Sequence, residues 1–271
     1  MRLRECIIQS VIGWIEIQAF ALAVLVSVTS AYAQGTDETK LSVEETLGAV
    51  RFLTETDGFV HILAHANPGA LCELRALRDD PHLERDHQHN VFLMLGYIGT
   101  KDDVPELEKI IHERHVGKND SDNSAALAIF EALGILSRRN IKEADDLLSR
   151  MATQAYWRKH PLKWMAPNAP VKYTNEDVSV VRVISAWSLF REAKDLQKVI
   201  VSASKSSSTP EGAKHLSEML NPTVMDRRRI SFHKAEQSPI LANERKDLRE
   251  LRREMVTGKT DPPARKPPPT P

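Results

Sequence analysis

The sequence predicts an all-α chain built from repeated helix pairs, and three observations carry that prediction. Glycine is scarce, at 11 of 271 residues, aromatics make up 6 %, and long alternating Val/Ile/Thr runs are absent, a composition that favours helices over a sheet. Residues 89–114, HNVFLMLGYIGTKDDVPELEKIIHER, read as one complete helix–turn–helix unit that cannot bury its own apolar surface and so needs copies beside it. Copies are present. Leu95, Gly96 and Ile98 recur 38 positions later as Leu133, Gly134 and Leu136, while Val104, Leu107, Ile110 and Ile111 recur 37 later as Ile141, Ala144, Leu147 and Leu148. A third copy follows, with Trp187, Ser188 and Phe190 at a spacing of 54 and Leu196, Val199 and Ile200 at 52, so an insertion lies before it.

The chain opens with Arg2 and Arg4, runs through AFALAVLVSVTS at 19–30, and offers Ala31-Tyr32-Ala33 before Gln34. This pattern is that of a secretory signal peptide over 1–33 with an A-x-A cleavage site, which makes the protein exported, periplasmic or secreted. The competing reading is an uncleaved anchor, because residues 6–33 are long enough to span a bilayer if Glu16 is tolerated. Cleavage removes Cys6 and leaves Cys72 as the single thiol, so no intramolecular disulfide forms and stability must come from packed helices. Cys72 stands among Leu71, Leu74 and Leu77 and is expected to be buried and inert.

After a polar leader at 34–42, Ser42 and Glu45 form a capping-box pattern ahead of Leu47, Val50 and Leu53. Thr56-Asp57-Gly58 breaks this helix, FVHILAHA makes a shorter one, and Asn67-Pro68-Gly69 leads into a helix carrying Leu71, Leu74 and Leu77. Residues 91–98 are apolar nearly all round, which marks a helix packed on several sides. Asp103 is placed to cap the next helix, with Pro105 in its first turn, Glu106 completing a capping box, and Leu107, Ile110 and Ile111 on its buried face. Beyond the repeats, Thr209 caps and Pro210 opens a short helix through Leu220, and a piece at 223–235 carries Arg227-Arg228-Arg229. After Ser238-Pro239 a last helix presents Leu241, Leu248, Leu251 and Met255 on one face, with Lys246 and Glu250 as an i, i+4 pair. Residues 258–271 are proline-rich and basic and are expected to be disordered or polyproline-like.

LGYIGTKDDVPELEKII resembles a HEAT-type repeat, in the degenerate version shared with bilin-lyase-like HEAT proteins. In that pattern an apolar helix ending L-G-x-[IL]-G is followed by an aspartate-containing turn and a V-P-x-L helix. The resemblance covers about 69–203, as one partial and three fuller repeats. The chain departs from it at Gln88, where the family often has an arginine bonding the inter-repeat turn, and at residues 187–190, which lack both glycines. The resemblance implies a right-handed α-solenoid with a concave binding surface, in a family where a minority of members are lyases or isomerases. The expected organisation is a repeat domain at 34–203, a helical extension at 204–257 and the tail.

The insertion at 153–177, TQAYWRKHPLKWMAPNAPVKYTNED, is too long and proline-rich for an ordinary turn. It interleaves Tyr156, Trp157, Trp164 and Tyr173 with Arg158, Lys159, His160, Lys163 and Lys172. Flat rings beside cations suit sugars, peptides or anionic polymers, and loops on a repeat scaffold often carry binding. Tyr156, Trp157, Arg158, His160, Lys163, Trp164 and Tyr173 are therefore the candidate partner-binding residues, against a structural reading that weighs more, in which Trp157 and Trp164 fill the gap between two repeats and the lysines point to water.

Histidines cluster at His82, His87 and His89, pair at His61 and His65, and pair again at His112 and His115, but each set supplies too few convergent ligands for a metal. No Gly-rich phosphate loop, G-x-S-x-G, H-E-x-x-H or C-x-x-C motif is present. Formal charge is zero overall, with twelve Lys/Arg against seven Asp/Glu from Asn221 onward, so a basic end sits on a mildly acidic body. That balance argues against nucleic acid and leaves membrane contact only to an uncleaved leader or the basic tail. The expectation is an exported binding or scaffold protein for another protein or an envelope component, without cofactor, metal or catalytic residues. A lyase- or isomerase-like periplasmic enzyme is the alternative.

Overall fold

The computed structural model describes residues 39–52, 60–80, 82–113, 120–162 and 174–258. The leader at 1–33, the Thr56-Asp57-Gly58 break, Leu53, His115, the part of the insertion at 163–173 and the tail beyond Gly258 lie outside the described residues. All the described helices belong to one compact unit.

Among the described residues every regular element is a helix and there is no strand. None of these helices is long and apolar enough to cross a membrane. The first, α1 (Val43–Ala49), starts at the expected capping box: Ser42 Oγ accepts the Glu45 N–H at 3.1 Å and Glu45 Oε2 accepts the Ser42 N–H at 2.9 Å. A short α2 (Val60–Ala64) and a 3₁₀ turn at Pro68–Ala70 lead to α3 (Leu71–Asp79). Here the expectation for Cys72 fails. Helix α3 buries Ala70, Leu74 and Arg78, four residues apart, so at 3.6 residues per turn Cys72 falls on the opposite side and is exposed.

The central unit folds as α4 (Arg85–Ile98) and α5 (Asp103–Glu113), followed by α6 (Asp120–Arg138) with α7 (Lys142–Met151). Residues 91–95 are each at most 6 % exposed, so α4 is packed on every side, as its uninterrupted apolar run requires. Asp103 is the first helical residue of α5, and its carboxylate faces away from the helix it was expected to cap. It accepts the Thr100 N–H at 2.8 Å and two bonds at 2.8 Å from Arg75 of α3, with Arg78 adding a contact at 3.3 Å. Burial would raise this carboxyl, but Arg75, the Thr100 amide and Arg78 outweigh it and hold it below the ordinary range.

Helix α6 packs along α4 on one side and along α9 (Asn175–Trp187) on the other. The contact is backbone-close, for a Cβ on Gly96 of α4 would stand 2.9 Å from Ala132 Cα of α6. Arginines tie the same ends of these helices together. Arg139, just past α6, donates to the Gly96 and Gly99 carbonyls at 2.8 and 2.9 Å, satisfying orphan acceptors at the end of α4. Arg191, just past α9, donates to the Ser137 carbonyl at 3.4 Å and to both Asp145 carboxylate oxygens at 3.0 and 2.8 Å. Gln88 instead donates to Leu83 O in its own turn, so the ties come from positions that the repeat pattern did not single out. Between α7 and α9 the insertion contributes a short helix, α8 (Gln154–Lys159), capped by Thr153, whose hydroxyl accepts the Tyr156 N–H.

Past α10 (Ala193–Ser206) and α11 (Pro210–Glu218, capped by Thr209 as expected), the chain turns back. Helix α12 (Pro222–Glu236) crosses the C-terminal ends of α9, α6 and α4 in turn. Arg229 donates to Arg191 O, the Phe232 ring meets Phe190 edge-on at 5.1 Å, and Glu236 takes two 2.7 Å bonds from Arg138 and one of 2.6 Å from the Tyr97 hydroxyl. Helix α13 (Ala242–Thr257) then returns to α1. Of its expected apolar face only Leu248 is fully buried; Leu251 and Met255 are half-buried, and Leu241, which precedes the helix, is 55 % exposed. The helices at 204–257 thus belong to the same compact unit as the repeats.

The close approach at Gly96 makes a specific prediction. Gly96→Val, whose branched side chain has no room against Ala132, lowers unfolding stability by about 1–3 kcal/mol, seen as a lower melting temperature; an unchanged melt would mean that α4 and α6 do not touch at this point.

Candidate functional site

The outer side of α5, α7 and α8 gathers Glu108, His112, Arg150, Tyr156 and His160. Glu108 and His112 are one helical turn apart on α5, so both leave it on the same side. The Tyr156 hydroxyl donates to Glu108 Oε1 at 2.9 Å and lies 2.7 Å from His112 Nε2. A hydroxyl has one proton, so it must accept from His112, which places an imidazole proton on Nε2. Arg150 reaches Glu108 Oε2 at 3.2 Å from a 60 % exposed position. The His160 ring lies 4.3 Å from that of His112 and 4.9 Å from that of Tyr156, while its side chain stays open to solvent.

These contacts set the electrostatics. Burial, then the neighbouring His160, holds the His112 imidazole below its usual range against the pull of Glu108. Burial and the Glu108 carboxylate push the Tyr156 phenol well up, so it remains a neutral hydroxyl. The arrangement can therefore offer a proton donor and acceptor relay from His112 through Tyr156 to Glu108, with the Arg150 guanidinium at its edge.

Of the residues expected from the sequence, Tyr156 and His160 join this cluster, Tyr156 buried and His160 exposed, while Arg158 is exposed about 200° round α8 from Tyr156. Trp157 does not join it. It is fully buried, edge-on to Phe130 at 6.0 Å, with its indole N–H donated to Met151 O, so it fills the space between α7 and α9 and has no face left for a ligand. Lys163, Trp164 and Tyr173 lie outside the described residues. Glu108 and Arg150 were missed, and His112 was considered only with His115 as a metal pair; the i, i+4 spacing of Glu108 and His112 places both on one side of α5, but the sequence does not name Tyr156 as their partner. The other histidines are engaged elsewhere: His61 Nε2 lies 3.2 Å from Glu244, His65 bonds the His61 carbonyl, and His87 stands 3.7 Å from Glu84. Among the described residues no group of three or more His, Cys, Asp or Glu side chains is arranged to hold a metal ion.

If burial beneath His160 and its ring depress the His112 titration, His160→Ala raises it, since losing the neighbouring imidazole and gaining water both favour the imidazolium. An NMR pH titration reads this directly; an unchanged or lowered midpoint contradicts the stacking. In comparisons with known proteins, no protein-family model matches the chain and neither a curated protein nor a solved structure matches it, so its reading rests on its own residues and geometry.

Proposed function

We propose that the protein is an exported HEAT-type helical-repeat scaffold, a right-handed α-solenoid in the periplasm or secreted, that binds an acidic segment of a partner protein or envelope component. The observation that carries the repeat reading is an arginine tie at equivalent helix ends: Arg139 donates to the Gly99 carbonyl after α4 and Arg191 to the Ser137 carbonyl of α6, acceptors 38 positions apart as in the repeat, although the two arginines themselves fall at different places in it. Stacked pairs joined in this way leave one continuous surface per row of helices, and such surfaces bind extended partners. The α5/α7/α8 face supports the chemistry, because the exposed Arg150 lies beside the half-buried Glu108 and the exposed His160 against His112 and Tyr156, with Arg158 and Lys159 exposed on α8, and such groups suit carboxylates. Export follows from the leader ending Ala31-Tyr32-Ala33.

Crosslinking the protein in envelope extract tests this. Arg150→Glu with His160→Ala, both at exposed positions, is expected to lower partner recovery at least fivefold; recovery equal to wild type sinks the assignment of that face.

A second reading, a lyase- or isomerase-like enzyme, draws on one contact, the His112 to Tyr156 to Glu108 relay, which has the reach of a general acid–base pair. Against it, His160 is exposed and Glu108 is 24 % exposed, so the two are not enclosed together. Incubating small-molecule extract with wild type and His112→Gln, followed by mass spectrometry, separates the readings. The enzyme reading requires a compound consumed by the wild type alone, and identical profiles remove it.

A further inference from the structure

We propose that α13 is a dissociable ligand carried in cis, and that the acidic seat beneath it on α1 and α3 is a binding site for an arginine-rich amphipathic helix of a partner protein. The seat uses different residues from the Glu108/His160 face and is independent of what that face binds.

The seat is built. Its centre is Glu45, whose carboxylate is 2 % exposed and whose lone pairs are fully directed. Oε1 accepts Arg249 Nε and Nη2 at 2.9 and 2.7 Å, while Oε2 accepts Arg245 Nη1 at 2.7 Å and the Ser42 N–H at 2.9 Å. The two-pronged Arg249 contact is one that a lysine could not reproduce. Around this centre, Glu73 takes Arg252 at 2.8 Å and Glu44 faces Arg253 at 3.7 Å. Next to it the two helices touch backbone to backbone, because a Cβ on Gly48 would lie 1.8 Å from the Leu248 carbonyl oxygen. Gly48 thus lets an incoming helix lie down, and Glu45, Glu44 and Glu73 read its arginines.

The occupant defines the ligand. Arg245, Leu248, Arg249, Arg252 and Arg253 fall at i, i+3, i+4, i+7 and i+8, one face of a helix. A partner would present the same arrangement, one leucine among four arginines. The occupant is also suited to leave. Leu248 is its single fully buried side chain, and much of the rest of its grip is polar: Arg245 on Glu45 and Glu244 beside His61 of α2 are set in, while Arg249, Arg253 and Glu73 are each about half or more exposed, where salt screens their ion pairs. Residues 237–241, containing Ser238-Pro239, join it to α12, which keeps its own hold through Glu236 and Phe232. Helix α13 can swing out without unseating α12, and Glu45 is then rehydrated rather than left buried alone.

The probe is a fluorescein-labelled peptide of residues 241–258, titrated into the full chain and followed by anisotropy. Arg245→Glu/Arg249→Glu in the chain places carboxylates opposite Glu45 and opens the seat, so this variant is expected to bind the peptide at least tenfold more tightly than wild type. Adding Gly48→Ala, which blocks the seat and favours helix in α1, is expected to abolish that binding. Equal affinity for wild type and opened variant, or binding indifferent to Gly48→Ala, overturns the proposal. Should the opened variant fail to fold, native-state hydrogen exchange on the wild type decides: amides from Leu248 to Met255 are expected to exchange by local opening, at least a hundredfold faster than those of α4, and equal protection overturns it.

Discussion

Three helices lying backbone-close are the constraint on which the rest of the molecule depends. Ala132 of α6 faces Gly96 of α4, and Phe190, following α9, lies against Gly134 of α6 so closely that a Cβ there would stand 2.5 Å from the ring. Such contacts fix both spacing and register, because packed interiors do not slide by fractions of a residue. Register then aligns the C-terminal ends of the three helices. Unsatisfied carbonyls at those ends attract Arg139 and Arg191, and the same edge presents Tyr97, Arg138 and Phe190 to α12. The arginine ties, the path of α12 and the return of α13 to α1 are all downstream of that alignment.

Arginine–carboxylate pairing is the second organising force. Asp103, Asp145, Glu236 and Glu45 are each held by one or more arginines from another helix. Removing a carboxylate from water is costly, and only directed partners offset it. Glu236 shows the balance, since burial alone would raise its carboxyl, yet Arg138, Tyr97 and His233 hold it below the ordinary range. These pairs add less to stability than the leucine and alanine core does. Their contribution is specificity, because a guanidinium fork accepts a carboxylate only from the right direction. They therefore decide where the C-terminal helices lie, while the apolar rows decide that the body folds.

Part of the candidate site was legible in the sequence. The insertion was recognisable as the break in the repeat, and the Tyr156 and His160 rings do lie 4.9 Å apart, Tyr156 buried and His160 exposed. Trp157 takes the packing role weighed for it rather than the binding one, because neighbouring residues on a short helix diverge by about 100°. Tyr156 therefore faces α5, while Trp157 turns into the gap between α7 and α9. Glu108 and His112 were hidden for another reason. Their partner Tyr156 is 44 to 48 positions away, and no pattern within one helix names it. Cys72 was misassigned because proximity to leucines in sequence was taken for proximity in space, when the helical angle sets it opposite Leu74.

By itself the sequence determined what local chemistry determines: an all-helical chain, a repeating pair of apolar helices, and starts such as Ser42 with Glu45 and Thr209 with Pro210, whose capping bonds reach three residues along the chain. Only the tertiary structure decided that the last helix returns to the first, since Arg245 and Arg249 meet Glu45 across 200 and 204 residues. Bonds within a turn leave a periodic trace in the chain. An ion pair between distant helices leaves none, because its geometry exists only after the intervening helices have packed in one register.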